Sequence, residues 1–164
     1  MPAEKVISEL IKEYGDSILR MCYIYLKDYH LAEDVVQETF LQVYNNYDSF
    51  RQQSSVKTWI TRIAVNLCKN QMRTRWFSVK KEEEFPILSY TEDYDGVIDR
   101  EQLLTAIGNL RPKYREAVLL FYYQELSIKE IAGLLNKKES TVKVRLKRAR
   151  EQLKQELKED YFYE

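Results

Sequence analysis

The chain has 164 residues, 26 basic and 26 acidic, so its formal net charge is zero and composition alone does not indicate a nucleic-acid partner. Only four glycines and three prolines argue against a β-rich or disordered chain, and the length suits one ordinary domain or two small ones. The two cysteines and the single histidine lack zinc-site spacing, so we expect no cofactor. No apolar run reaches about 18 residues, and the N-terminus is unlike a signal peptide. We therefore expect a cytoplasmic protein with no membrane insertion of its own.

The first half of the chain has the apolar periodicity of four helices. We expect the first to be interrupted at Gly15, where Asp16 is placed to cap a second helix that runs to Leu26. The third is predicted at 31–44 and the fourth at 56–76. A core-facing stripe is predicted on the fourth helix at Val56, Ile60, Ile63 and Leu67.

The third predicted helix carries a polar group away from its apolar side. Asp34, Glu38 and Leu41 share one face, with Gln37 nearby. An exposed leucine beside carboxylates and an amide is typical of a protein-docking patch. A solvated face with one stray apolar residue would have the same pattern, and the residues alone leave both interpretations open.

Segment 49–81 contains eight basic residues and no acid. Phe50 lies in the loop before its helix, and the helix carries a polar stripe formed by Arg62, Asn66, Lys69 and Arg73. Cations that follow a nucleic-acid backbone and aromatic rings that stack on unpaired bases are features of a single-stranded nucleic-acid interface. The alternative places Phe50 and Trp59 in the core, and for Trp59 we favour burial.

An acidic segment separates the two halves of the chain. Residues 82–101 hold eight acids and one basic residue, and Pro86 and Gly96 interrupt any periodicity, which predicts a linker at 78–98. We therefore predict an all-α fold of two small helical domains, residues 1–77 and 99–164. The second begins with a helix capped by Asp99, followed by a helix that starts at Pro112 and buries Ala117, Val118, Leu120, Phe121 and Tyr122.

Residues 127–157 have the pattern of a helix-turn-helix. Ser127 and Glu130 form a capping box at the start of the first helix, and Asn136 suits the left-handed residue that would end it. Ser140 is the predicted N-cap of the second helix. The core stripe of this second helix is Val142, Leu146, Ala149 and Leu153.

The second helix of this motif is strongly basic, because residues 137–150 hold seven basic residues and one acid. A solvated basic face is common on amphipathic helices, but such a face usually mixes its signs. The excess therefore favours a helix that enters the DNA major groove and presents cations to phosphates and base edges.

Five segments, in order along the chain, resemble those of the bacterial extracytoplasmic-function sigma factors, the smallest members of the sigma-70 class. They are DVVQETFLQVY at 34–44, DSFR at 48–51, TWITRIAVNLCKN at 58–70, LRPKYREAVLL at 110–120 and SIKEIAGLLNKKESTVKVRLKRAR at 127–150. The ordered set is more specific than the helix-turn-helix alone. The resemblance implies a sigma factor that gives RNA polymerase its promoter specificity, with no enzyme activity in the chain itself.

The resemblance also implies core RNA polymerase, promoter DNA and an anti-sigma factor as partners. Docking on the largest polymerase subunit is implied for Asp34, Gln37, Glu38 and Leu41. Contact with the −10 element and a flipped base is implied for Phe50, Arg51, Arg62, Asn66, Lys69, Asn70 and Arg73. Contact with the −35 element is implied for Ser140, Thr141, Lys143, Val144, Arg145, Lys147 and Arg148. The chain departs from the family pattern at Val144, often small and polar, and in loop 52–55, which lacks a glycine.

Two other classes of protein fit parts of the pattern. A dimeric helix-turn-helix regulator with an N-terminal sensor bundle would bind palindromic duplexes, but it leaves the acid-free segment unexplained. A metal-dependent nuclease would need a clustered carboxylate site at Glu33, Asp34 and Glu38, and a metal site could add His30. A surface patch explains these residues more simply.

Overall fold

The computed structural model describes residues 4–50, 52–75 and 100–162, and every regular element in these ranges is helical. The predicted all-α fold class is therefore confirmed. The chain divides into two compact units, Met1–Lys81 and Glu82–Glu164, which we call the N-terminal and C-terminal units. The linker predicted at 78–98 and the cap predicted at Asp99 lie outside the described residues.

The N-terminal unit contains three mutually packed helices, α1 (Glu4–Leu26), α2 (Tyr29–Asn46) and α3 (Val56–Arg75), with a 3-10 turn at Tyr47–Ser49. The α2 helix begins at Tyr29 because the Asp28 carboxylate accepts a hydrogen bond of 3.1 Å from the amide of Leu31. The apolar core consists of side chains at most 2% exposed: Ile18, Met21, Cys22, Tyr23, Tyr25, Ala32, Val35, Val43, Ile60, Ala64, Val65 and Cys68.

The predicted interruption at Gly15 is wrong, since α1 is continuous from Glu4 to Leu26. Ile7, Ile18 and Cys22 are all buried, and they lie on the same helical face before and after the glycine. A glycine costs a helix interior about 1 kcal/mol relative to alanine, which is small beside the burial of this long apolar face. Helix α1 can thus pack along both α2 and α3.

The predicted core stripe of α3 is also wrong in part. Ile60 is fully buried, but Val56, Ile63 and Leu67 are only half-buried. The buried face lies about a third of a helical turn away and includes two threonines. It is formed by Thr58, Ile60, Thr61, Ala64, Val65 and Cys68. The Thr61 hydroxyl donates to the carbonyl of Lys57 at 2.7 Å, so this threonine is accommodated as a small core residue.

The C-terminal unit contains α4 (Arg100–Asn109), α5 (Pro112–Val118), a π-helical turn at Leu119–Tyr123, α6 (Ile128–Leu135) and α7 (Glu139–Phe162). Pro112 stands in the first turn of α5, as predicted. One core cluster joins α5 to α7 and consists of Leu110, Tyr114, Val118 and Ala149, with Ile107 and Leu153 packed against it.

The end of α4 is held by a buried arginine of α5. Arg115 is only 7% exposed, and its guanidinium donates to the carbonyls of Gly108 at 2.7 Å and Leu110 at 3.1 Å. These carbonyls belong to the negative end of the α4 dipole, where a cation is favourable. A bond of 2.8 Å from Asn109 Nδ2 to Glu156 Oε1 also ties α4 to α7.

The segment after α5 differs from the predicted regular helix. The amide of Gln124 donates to the carbonyl of Leu119 at 2.9 Å, the i to i−5 bond of a π turn. The wider turn places the Gln124 side chain inside, at 1% exposed, and leaves Tyr122 53% exposed. The predicted burial of Ala117, Val118 and Leu120 is confirmed, whereas Phe121 is half-buried and the prediction for Tyr122 is wrong.

Candidate nucleic-acid interface

The turn between α6 and α7 is built as the sequence predicts. The amide of Glu130 donates to Ser127 Oγ and the amide of Ser127 donates to Glu130 Oε1, both at 3.0 Å, so the capping box is complete. Asn136 ends α6 with φ 55° and ψ 49°, the left-handed conformation. The amide of Lys137 donates to the carbonyl of Ala132 at 3.0 Å, so this cap satisfies a carbonyl at the end of α6.

Helix α7 begins two residues earlier than the N-cap predicted at Ser140 implies. The amide of Val142 donates to the carbonyl of Lys138 at 3.2 Å, and the helix starts at Glu139. Ser140 is therefore an exposed residue of the first turn and not the N-cap, so that prediction is wrong. Its hydroxyl is consequently on the helix surface, next to the cations that follow.

The core stripe predicted for α7 is confirmed. Val142, Leu146 and Ala149 are at most 1% exposed, and Leu153 is half-buried. With this stripe turned inward, the outward side of the helix carries Ser140, Val144, Lys147 and Arg148, all exposed. Among the other predicted −35 residues, Thr141 and Arg145 are half-buried on one flank and Lys143 is exposed on the other.

A concavity of about 320 Å³ opens between α5 and the first turns of α7. Five predicted −35 residues line it, together with two that the sequence analysis missed: Lys113, Tyr114, Ser140, Thr141, Val144, Arg145 and Arg148. Tyr114 is marked as a core residue by its spacing from Leu110 and Val118, but no local signal joins it to a residue of α7. The Arg148 guanidinium donates to the Tyr114 hydroxyl, which lowers the pKa of Tyr114 and raises that of Arg148.

The opposite flank of α7 has a second arginine–tyrosine contact. Arg150 Nε donates to the Tyr122 hydroxyl at 2.5 Å, and its guanidinium lies 5.9 Å from the centroid of the Phe121 ring. This contact explains why the exposed Tyr122 ring has a defined position. It lies apart from the residues predicted to contact DNA.

In the N-terminal unit, the loop before α3 places an aromatic group at the surface. The Phe50 and Trp59 rings are stacked, with centroids 4.4 Å apart and planes at 15°. Both side chains are half-buried, so the burial predicted for Trp59 is confirmed only in part. Gln52 has φ 54°, a left-handed conformation at the place where the resemblance would expect a glycine. Ser55 Oγ accepts from the amide of Thr58 at 3.1 Å and caps α3.

The polar stripe predicted on α3 faces away from the three-helix core. Asn66, Asn70 and Arg73 are exposed, and Arg73 donates to the Asn70 side chain. Arg62 and Lys69 are half-buried beside them, and Arg51 lies outside the described residues. Trp59 occupies the same side of the helix. Cations, amides and a stacked aromatic pair therefore share one surface, which can bind a nucleic-acid strand and an unstacked base.

The predicted docking patch on α2 is a continuous exposed surface. Asp34, Gln37, Glu38 and Leu41 are all exposed, and Leu41 is 55% exposed despite its size. Glu38 Oε1 accepts a hydrogen bond of 3.3 Å from Gln42 Nε2. The inward side of α2 is held by Ala32, Val35 and Val43, so changes in the patch leave the core intact.

Within the described ranges, no group of three histidine, cysteine, aspartate or glutamate side chains is placed to hold a metal ion. His30 Nδ1 and Glu33 Oε1 are 3.7 Å apart at the surface. Searching the same residues for a helix of sufficient length and apolarity to cross a membrane yields none.

Two family models match the chain and cover both units. Sigma-70 region 2 matches residues 10–78, and sigma-70 region 4 matches residues 100–153. The chain is 32% identical to the ECF RNA polymerase sigma factor SigW of Bacillus subtilis, over 95% of this chain and 91% of SigW. It is also 32% identical to SigM of the same organism, over 90% and 93% of the two chains.

Solved structures show the same fold. The sigma factor RpoE from Bartonella quintana, in complex with the anti-sigma factor NepR, matches with a TM-score of 0.81 and 27% identity, over 94% of this chain and 98% of RpoE. CnrH, solved with the cytosolic domain of CnrY, matches in fold with a TM-score of 0.72 and 20% identity. The chain belongs to the sigma-70 family of RNA polymerase sigma factors, in its extracytoplasmic-function branch. The predicted role in promoter recognition and transcription initiation is thereby confirmed.

Proposed function

We propose that the two units divide promoter recognition between them. Residues 1–77 form the region that docks on core RNA polymerase and binds the −10 element, and residues 99–164 form the region that binds the −35 element. The observation that carries this proposal is the outward side of α7. Val144, Lys147 and Arg148 are exposed there, opposite a stripe whose first three members are at most 1% exposed: Val142, Leu146 and Ala149. A helix anchored in this way can enter a major groove without losing its core.

Promoter melting would be the task of the N-terminal surface. Opening DNA costs about 1.4 kcal/mol per base-pair step, which a protein can offset by binding the exposed strand and an extruded base. The stacked Phe50 and Trp59 rings and the polar stripe of α3 supply aromatic and cationic contacts of this kind. The chain itself would catalyse no reaction, because nucleotide addition belongs to the polymerase.

The test of the overall function is run-off transcription. Core RNA polymerase mixed with this chain should initiate at promoters that core polymerase alone does not use. A failure of the chain to bind core polymerase in a pull-down would contradict the proposed function. Specific binding to palindromic duplexes by a dimer, without polymerase, would instead support the helix-turn-helix regulator.

The docking patch gives a prediction that separates binding from folding. Replacing Asp34 and Leu41 together by alanine should weaken core-polymerase binding about tenfold or more, since an exposed leucine and its acidic neighbour are lost from the interface. A double substitution of Glu9 and Ile11 is the matched control, because α1 also exposes an acid and a large apolar residue there. Both variants should keep the wild-type melting temperature. If the wild type and the Asp34 and Leu41 variant bind core polymerase with equal affinity in a titration, the docking assignment is wrong.

The −10 surface gives a second prediction. Asn66→Ala should reduce binding of the holoenzyme to a single-stranded −10 oligonucleotide about fivefold, the loss of roughly one hydrogen bond of 1 kcal/mol. Transcription from duplex promoters should fall with it. Gln102→Ala, which removes an exposed amide in the C-terminal unit, should change neither readout. Normal transcription by Asn66→Ala across several promoters would show that this residue does not contact the melted strand.

RpoE of Bartonella quintana was solved in complex with the anti-sigma factor NepR, which suggests regulation of the same kind for this chain. We propose that an anti-sigma factor covers one or both DNA-binding surfaces and keeps the chain from core polymerase. The complex would form in the cytoplasm, where core polymerase and promoter DNA are found. Co-purification of the chain with such a protein, and release of activity when that protein is deleted, would test this.

A further inference from the structure

The concavity between α5 and α7 contains an arginine whose acceptor is a phenol. The Arg148 guanidinium donates to the Tyr114 hydroxyl, and both side chains line the concavity. Two further cations, Lys113 and Arg145, line the same concavity, and none of the lining residues is an acid. Glu151, three residues further along α7 and not among the lining residues, also acts on Arg148, but more weakly than the Tyr114 hydroxyl does. The strongest partner of Arg148 is thus a neutral group at a cationic surface.

Both ends of this hydrogen bond are anchored in one core. Tyr114 is 5% exposed and packs with Leu110, Val118 and Ala149. Its hydroxyl therefore has a fixed position at the edge of the concavity. Arg148 directly precedes Ala149, which is fully buried in the same cluster, so the backbone that carries the guanidinium is fixed as well.

A neutral acceptor has a different effect from a carboxylate. A carboxylate would form a strong ion pair with the guanidinium and compete with a phosphate or a guanine for it. A phenol oxygen takes one of the five N–H donors of arginine and leaves the others and the charge available. The bond to Tyr114 raises the pKa of Arg148, in keeping with a guanidinium that stays charged.

We propose that Tyr114 is a positioning residue that acts through Arg148 and holds its guanidinium ready to contact the −35 duplex. The inference rests on the proposed function of the C-terminal unit and adds a specificity-determining residue outside the helix-turn-helix. Without the hydroxyl, the long Arg148 side chain would have to be ordered at the moment of binding, which reduces affinity and discrimination.

The test compares holoenzymes carrying Tyr114→Phe, Arg148→Ala or both substitutions. Tyr114→Phe keeps the buried ring and removes only the hydroxyl. A promoter library with a randomised −35 element, sequenced after run-off transcription, reports the base preference. We expect Tyr114→Phe to weaken use of the preferred −35 sequence about three- to tenfold, the cost of ordering one long side chain. It should have no further effect when Arg148→Ala is already present, since the hydroxyl acts through that side chain.

Tyr122→Phe is the matched control, because it removes a hydroxyl that accepts from Arg150, on the opposite flank of α7. It should leave the −35 preference unchanged.

If Tyr114→Phe lowers activity equally with and without Arg148→Ala, the role of the Tyr114 hydroxyl is structural and the positioning proposal is overturned. An unchanged preference in Tyr114→Phe overturns it too. A wild-type holoenzyme with no −35 preference at all would instead refute the proposed function of the unit. A lower melting temperature does not obscure the result, because destabilisation would be present in both backgrounds.

Discussion

Replacing Arg115 by methionine is expected to destabilise the C-terminal unit by about 2–4 kcal/mol. Methionine fills similar space but cannot donate to the carbonyls of Gly108 and Leu110, which Arg115 holds at 2.7 and 3.1 Å. Hydrogen bonds from a charged group contribute about 1.5–3 kcal/mol, and buried carbonyls left unpaired add a desolvation cost. The end of α4 also loses the cation that balances its dipole.

Urea unfolding followed by circular dichroism measures this effect, with the two units fitted as separate transitions. Arg111→Met is the control, because Arg111 is exposed and such changes usually stay within about 0.5 kcal/mol. The transition of the N-terminal unit should not move in either variant. If Arg115→Met unfolds at the same urea concentration as the wild type, the Arg115 guanidinium makes no net contribution to the stability of the C-terminal unit.

Arg148→Ala is expected to cost the holoenzyme about 1–3 kcal/mol on its preferred −35 sequence and to relax base preference at one or two positions. The planar guanidinium can pair with guanine through two hydrogen bonds, and Arg148 is exposed on the outward side of α7. Lys147 is its neighbour on the same side but carries a mobile point charge suited to phosphate. Lys147→Ala should therefore weaken all sequences about equally.

Salt titrations of holoenzyme binding to matched and mismatched promoters separate the two roles. Lys147→Ala should lower the salt slope by about one unit, since one phosphate contact is lost, while Arg148→Ala should mainly reduce the difference between matched and mismatched DNA. Equal losses on every promoter for both variants would mean that α7 only anchors the unit and that bases are read by other residues.

The sequence predicted best where a local pattern determines local geometry. The capping box of Ser127 and Glu130, the left-handed Asn136 and the buried stripe of α7 were all confirmed. Each of these features depends on interactions between residues close together in sequence, so a local pattern is enough to predict it.

Most of the wrong predictions concern tertiary packing, although the N-cap predicted at Ser140 was local and was wrong as well. Gly15 remains helical because Ile7 before it and Ile18 after it are buried on one face of α1. On α3, Thr58 and Thr61 are buried in the core, where the apolar pattern predicted other residues. The bond between Tyr114 and Arg148 joins two helices and has no local signature. The candidate site could thus be located on α7 from the sequence, but the partner that orients one of its arginines could not.

Because each unit has its own core, the unit in which a destabilising substitution lies should decide whether the mutant allele is dominant. A substitution that unfolds only the C-terminal unit, such as Arg115→Met, leaves the three helices that carry the docking patch folded. In a strain given a second, altered copy, the docking proposed for α2 would let the altered subunit still occupy core polymerase and withhold it from promoters. We expect such alleles to be dominant, whereas alleles that break the N-terminal core should be recessive because the subunit no longer competes.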